Sequence, residues 1–77
     1  MTETVLLDAK GLQCPMPLLK AKKALNEMNP EELLRVLATD PGSVRDFEVF
    51  SRQSGHSLLE SRHEGDTYIY LLRKKSN

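Results

Sequence analysis

The order of local patterns along this chain predicts a two-layer α/β sandwich with βαβαββ topology. Three observations carry that expectation. Short apolar runs suited to strands alternate with two amphipathic stretches of helical period. Proline and glycine punctuate the chain where those patterns change. The last two strand-like runs are separated only by Glu64-Gly65-Asp66, a hairpin signal. With only two helices, both should lie on one face of a four-stranded mixed sheet, in an α+β arrangement. A chain of 77 residues is too short for a second core, so a single domain over residues 1–77 is expected.

The segment Thr4 to Ala9 is short and mostly apolar, as a strand requires. Gly11 interrupts it at a turn that calls for positive φ, and Cys14-Pro15-Met16-Pro17 follows. Proline lacks an N–H and has φ fixed near −65°, so the two prolines read as the first turn of a helix running to about Met28. Asn29-Pro30 ends it. At 100° per residue, Leu18, Ala21, Ala24, Leu25 and Met28 share one stripe, the core face. Met16 and Leu19 fall opposite, among Lys20 and Lys23.

Leu33 to Thr39 reads as a second strand, followed by turn chemistry at Asp40-Pro41-Gly42-Ser43 with Ser43 as N-cap of a second helix. Val44, Phe47 and Phe50, with Val49 in part, supply that helix's apolar side, and Gly55 caps its end. Ser57 to Arg62 and Thr67 to Arg73 form the closing antiparallel hairpin. The first two strands should pair in parallel as a right-handed βαβ unit. Tyr68 and Tyr70 share one sheet face, and that row is a candidate for the open side of the sheet. Residues 73–77 read as a polar tail.

Charge excludes one class of partner. The chain has 11 basic and 11 acidic side chains, divided five and five over residues 1–38 and six and six over residues 39–77. Binding that depends on phosphate neutralisation is not expected of such a balance, so direct nucleic-acid binding is not expected. A local basic patch survives: Lys10, Lys20, Lys22 and Lys23 lie between Ala9 and Leu25 with no carboxylate among them. No apolar run approaches the roughly 20 residues that span a bilayer, so no membrane role is expected. One cysteine and no secretory signal point to a reducing, cytoplasmic setting. One cysteine and two separated histidines have no metal-ligand spacing, and no glycine-rich phosphate loop is present; neither metal nor cofactor is expected.

The chemistry-bearing residue is then Cys14. A cysteine just ahead of a helix sits near backbone N–H groups without internal partners, and the helix dipole favours thiolate there. Lys10 or Lys20 would add to that effect. A free cysteine is also commonly just a small buried hydrophobe. Position and prolines alone leave both readings standing.

The run Asp8-Ala9-Lys10-Gly11-Leu12-Gln13-Cys14-Pro15-Met16-Pro17-Leu18-Leu19 resembles the signature of the TusA family of sulfur carriers, which includes SirA-like proteins. That signature is an aspartate, a Gly-Leu pair, then Cys-Pro-x-Pro opening the first helix. Thr39-Asp40-Pro41-Gly42-Ser43-Val44, Asp46-Phe47 and Gly55-His56-Ser57-Leu58-Leu59 extend the similarity over about Leu6 to Lys75. The resemblance implies a fold like the C-terminal domain of translation initiation factor three. It implies Cys14 as the persulfide-bearing nucleophile, with Asp8, Gly11, Leu12, Pro15 and Pro17 in supporting roles. It also implies a cysteine desulfurase or rhodanese-like sulfur donor, and a DsrE- or TusD-like or other acceptor protein. The pathways it suggests are tRNA thiolation, molybdenum-cofactor maturation and sulfur oxidation.

A monomeric sulfurtransferase that meets two partners needs a docking surface beside its cysteine. Met16, Leu19, Lys20 and Lys23 offer an apolar anchor with charges for steering; packing of Met16 and Leu19 under the first loop or the tail is the plainer alternative. Asp40 and Asp46 read as turn and helix-start residues, and His56 and His63 as structural or solvated side chains. A thiol-based redox regulator and a small RNA- or protein-binding module are the rival functions.

Overall fold

The computed structural model describes residues 4–76. The element order is β1 (Thr4–Ala9), α1 (Met16–Glu27), β2 (Leu33–Ala38), α2 (Ser43–Ser54), β3 (Ser57–Glu64) and β4 (Thr67–Arg73). The four strands form one sheet in the order β1-β2-β4-β3. β1 pairs with β2 in parallel, and the β2–β4 and β4–β3 pairs are antiparallel. The mixed sheet and two helices are those expected from the sequence.

Strand alternation decides where the core lies. Leu34, Val36 and Ala38 of β2 and Tyr70 and Leu72 of β4 are fully buried on one face, against Ala21 and Leu25 of α1 and Phe47 of α2. Both helices therefore cover the same side. The predicted stripe on α1 holds, with Leu18, Ala24 and Met28 packed at its margin. Pro17 is also buried, so the second proline of the motif is a core residue as well as a helix starter.

Three expectations are corrected. Ser43 is not an N-cap: it is the first residue of α2, Gly42 precedes it, and its buried hydroxyl bonds Tyr70 Oη at 2.7 Å. Tyr70 does not face the open side; it is fully buried and stacks on Phe47 with ring centroids 4.5 Å apart. The aromatic ring belongs to the core, and the Ser43 hydroxyl satisfies the one polar atom that ring carries inside. Residues 74 and 75 are not a free tail. Lys74 exchanges backbone bonds with Glu31 and Glu32 at 2.8 and 2.9 Å, and its ammonium bonds Leu25 O near the end of α1. The Lys75 ammonium bonds Ser54 O at 3.1 Å. Cations thus meet the carbonyl ends of both helices, where the helix dipole favours them.

Smaller differences are local. β2 ends one residue early, at Ala38, and the Thr39 hydroxyl beyond it accepts the Gly11 N–H at 2.9 Å. β3 runs on to Glu64, leaving Gly65-Asp66 as a two-residue turn with Gly65 at φ 58. A register shift between Leu58 and Glu60 marks a bulge in β3, an edge strand.

Candidate functional site

Parallel pairing of β1 with β2, in register from Thr4–Leu33 to Ala9–Ala38, brings both carboxyl ends to one edge of the sheet. The segment leaving β1 carries Cys14, and the segment leaving β2 carries Asp40 and, one turn into α2, Asp46. Two stretches some 30 residues apart in sequence meet there.

The loop before α1 is held by short-range bonds. Asp8 Oδ1 accepts the Lys10 N–H at 3.0 Å and its Oδ2 pairs with the Lys10 ammonium at 3.2 Å. These bonds, with the backbone donor foremost, hold the Asp8 carboxyl below the usual carboxylate range. Gly11 adopts φ 84 and passes its N–H to Thr39, tying the loop to the end of β2. Leu12 is half-buried and donates to Ala9 O at 3.3 Å. The Cys14–Pro15 peptide bond is cis.

Cys14 is exposed, so its sulfur is reachable. Its N–H donates to Asp40 Oδ2 at 2.6 Å, and the other oxygen of Asp40 accepts the Gly42 N–H at 3.3 Å. Gly42 lies flat against the cysteine: a Cβ at this position would stand 3.5 Å from Cys14 Cβ and 3.7 Å from Sγ. The thiol itself is in hydrogen-bond contact with Asp46 Oδ2.

These contacts overturn the expected activation of the thiol by the helix start. The hydrogen bond to Asp46, then burial, then the charges of Asp46 and Asp40, push the Cys14 thiol up to about 11. The reason is visible in the first turn of α1. Pro15 and Pro17 have no N–H, and that of Met16 donates to Gln13 O at 2.8 Å. The motif that opens the helix thus removes two of the backbone donors a thiolate could use there. Lys10 gives no compensation, being paired with Asp8. Sequence reasoning missed Asp40 and Asp46 as neighbours of Cys14. The signal was present in the parallel βαβ reading, since parallel strands place the loops that follow them side by side.

Met16 and Leu19 are 42% and 47% exposed, and Lys20 and Lys23 are exposed beside them. The four follow i, i+3, i+4, i+7 spacing and form one stripe along α1. The alternative in which the two apolar residues pack under a loop or the tail is excluded. His56 is a structural side chain: it is buried, and its Nδ1 accepts the Lys75 N–H at 3.0 Å. His63 stacks on Tyr68 with centroids 4.1 Å apart. Among the described residues, no group of three or more His, Cys, Asp or Glu side chains is placed to hold a metal ion. No helix among them is long and apolar enough to cross a membrane.

Residues 5–74 match the family model described as sulfurtransferase TusA. The sulfur carrier protein TusA of Allochromatium vinosum is 53% identical over 68 residues, which cover 88% of this chain and 90% of that one. The putative sulfur carrier protein YrkI of Bacillus subtilis is 45% identical, with 96% and 99% covered. TusA of Pseudomonas aeruginosa is 42% identical over the full length of both chains. The crystal structure of a SirA-like protein from Desulfitobacterium hafniense superposes with a TM-score of 0.81 at 23% identity, covering 94% of this chain and 99% of that one, which shows a shared fold. The chain belongs to the TusA family of sulfur carriers.

Proposed function

We propose that the protein accepts a sulfane sulfur on Cys14, holds it as Cys14–S–SH, and passes it to a cysteine of an acceptor protein. The observation that carries this reading is an exposed sulfur on the one cysteine of a chain that matches the sulfurtransferase family model over residues 5–74. The donor is a cysteine desulfurase or rhodanese-like protein, the acceptor a DsrE- or TusD-like or other thiol protein, and the setting cytoplasmic. Gly11, Leu12, Pro15 and Pro17 shape the loop and the helix start, and Asp8 braces the loop. Met16, Leu19, Lys20 and Lys23 meet the partners.

The chemistry is thiol–disulfide exchange with one sulfur added. Sγ attacks the outer sulfur of the donor persulfide, a new S–S bond forms, the donor's S–S bond breaks, and its inner sulfur leaves with the electron pair. In the second half the acceptor thiolate attacks the outer sulfur of Cys14–S–SH and the Cys14 thiol is regenerated. No external oxidant or reductant is consumed. Labelled cysteine supplied with a cysteine desulfurase should deposit labelled sulfur on the chain, and a thiol reductant should release it. Cys14→Ser should take up none. Equal labelling of that variant would overturn the assignment.

A further inference from the structure

We propose that Asp46 holds Cys14 of the unloaded carrier as the neutral thiol. The inference deepens the carrier reading and takes its purpose from it, but its test does not depend on it. The geometry is specific. Asp46 comes from α2, 32 residues along the chain, and its Oδ2 lies in contact with Sγ. An ionised carboxylate can only accept, so this contact is a hydrogen bond only while the sulfur keeps its proton. A thiolate in the same place would face a like charge at contact distance.

Among the groups that shift the Cys14 thiol none is a cation. Asp40, from the turn before α2, adds a second carboxylate and is fixed by its bond to the Cys14 N–H. On the β1 side Lys10 is tied to Asp8. On the α1 side Pro15 and Pro17 supply no N–H and the Met16 amide is committed to Gln13 O, while Lys22 of α1 and Arg45 of α2 line the groove beside Asp46. Asp46 is itself anchored in the first turn of α2 by its N–H to Gly42 O at 3.3 Å. The cysteine is therefore exposed yet quiet, which is the combination a carrier needs between partners: small electrophiles and oxidants react with thiolate, not thiol.

Sulfur loading removes the restraint by its own chemistry. As Sγ bonds the outer sulfur, the thiol proton goes by way of Asp46, the nearest base, to the departing thiolate of the donor. Sγ of the persulfide carries no proton, so the bond to Asp46 is gone, and an ionised outer sulfur is repelled by both carboxylates. The loaded sulfur is freed from Asp46, and the unloaded thiol is exposed but held unreactive.

The test is the rate of Cys14 alkylation by iodoacetamide from about pH 6 to about pH 11, in the wild type and in Asp46→Asn, with circular dichroism to verify the fold. The wild-type profile should inflect above the roughly 8.5 of a free cysteine. In Asp46→Asn the inflection should fall by about one unit or more, with alkylation at neutral pH about tenfold faster or more. A wild-type inflection at or below the free-cysteine value overturns the proposal without recourse to any variant, and so do coincident profiles for the two proteins. Because alkylation needs no donor, either result stands apart from success or failure of sulfur loading.

Discussion

The sulfur of Cys14 is governed by residues from two sides of the sheet edge. Asp40 accepts its backbone N–H, Asp46 Oδ2 contacts its sulfur, and Gly42 lies beside it without a side chain. Of this set, only Cys14 and its prolines were legible as a site in the sequence. Asp40 and Asp46 carry local signals of a turn and a helix start, and nothing local distinguishes a carboxylate that caps from one that reaches a neighbouring loop. Leu19 was legible because helical period alone places it opposite the core stripe, and its exposure of 47% agrees. Leu19→Asp should accordingly leave the fold unchanged and weaken binding of a sulfur-donor protein by about tenfold or more. Isothermal titration against a cysteine desulfurase checks this; unchanged affinity would remove the stripe as the docking surface.

Among the elements, the closing segment ties the two helices together. Lys74 and Lys75 extend from β4, bond the carbonyl ends of α1 and α2, and brace the loop before β2. Composition read them as a solvated tail, because a run of lysines has no pattern that reveals a fixed partner. His56 is the titratable part of this strap. Burial first, then the charges of Lys74 and Lys75, lower its pKa from 6.5, and its neutral Nδ1 accepts the Lys75 N–H. A depressed folded pKa means that the unfolded chain binds the proton more readily. The stability His56 contributes is therefore complete above about pH 6.5 and is lost as pH falls toward the folded value. Thermal midpoints should drop between about pH 7.5 and about pH 5.5 in the wild type, and the drop should be smaller in His56→Gln. Parallel slopes for the two proteins would contradict the assignment.

At the scale of the whole molecule, topology does the positioning. Element order, the parallel first pair, the closing hairpin and the one-sided helix layer all follow from periodicity and turn residues, because each is a local pattern with one way to bury its apolar face. The tyrosine row was misplaced because alternation says that Tyr68 and Tyr70 share a face but not which face the helices take; Ser43, buried against Tyr70, settles it. The same parallel pairing that builds the sheet delivers the cysteine loop to the carboxylates of the second crossover, so fold and site arise from one register. A carrier loads Cys14 with sulfur, whereas a redox regulator would load it with oxygen. Intact-mass spectrometry of the donor-treated protein, followed by alkylation and mapping of the Cys14 peptide, separates the two most directly. The chain should gain one sulfur atom that survives alkylation as a capped persulfide on Cys14 and vanishes on reduction. A gain that resists reduction and matches oxygen, or one that maps elsewhere in the chain, would contradict it.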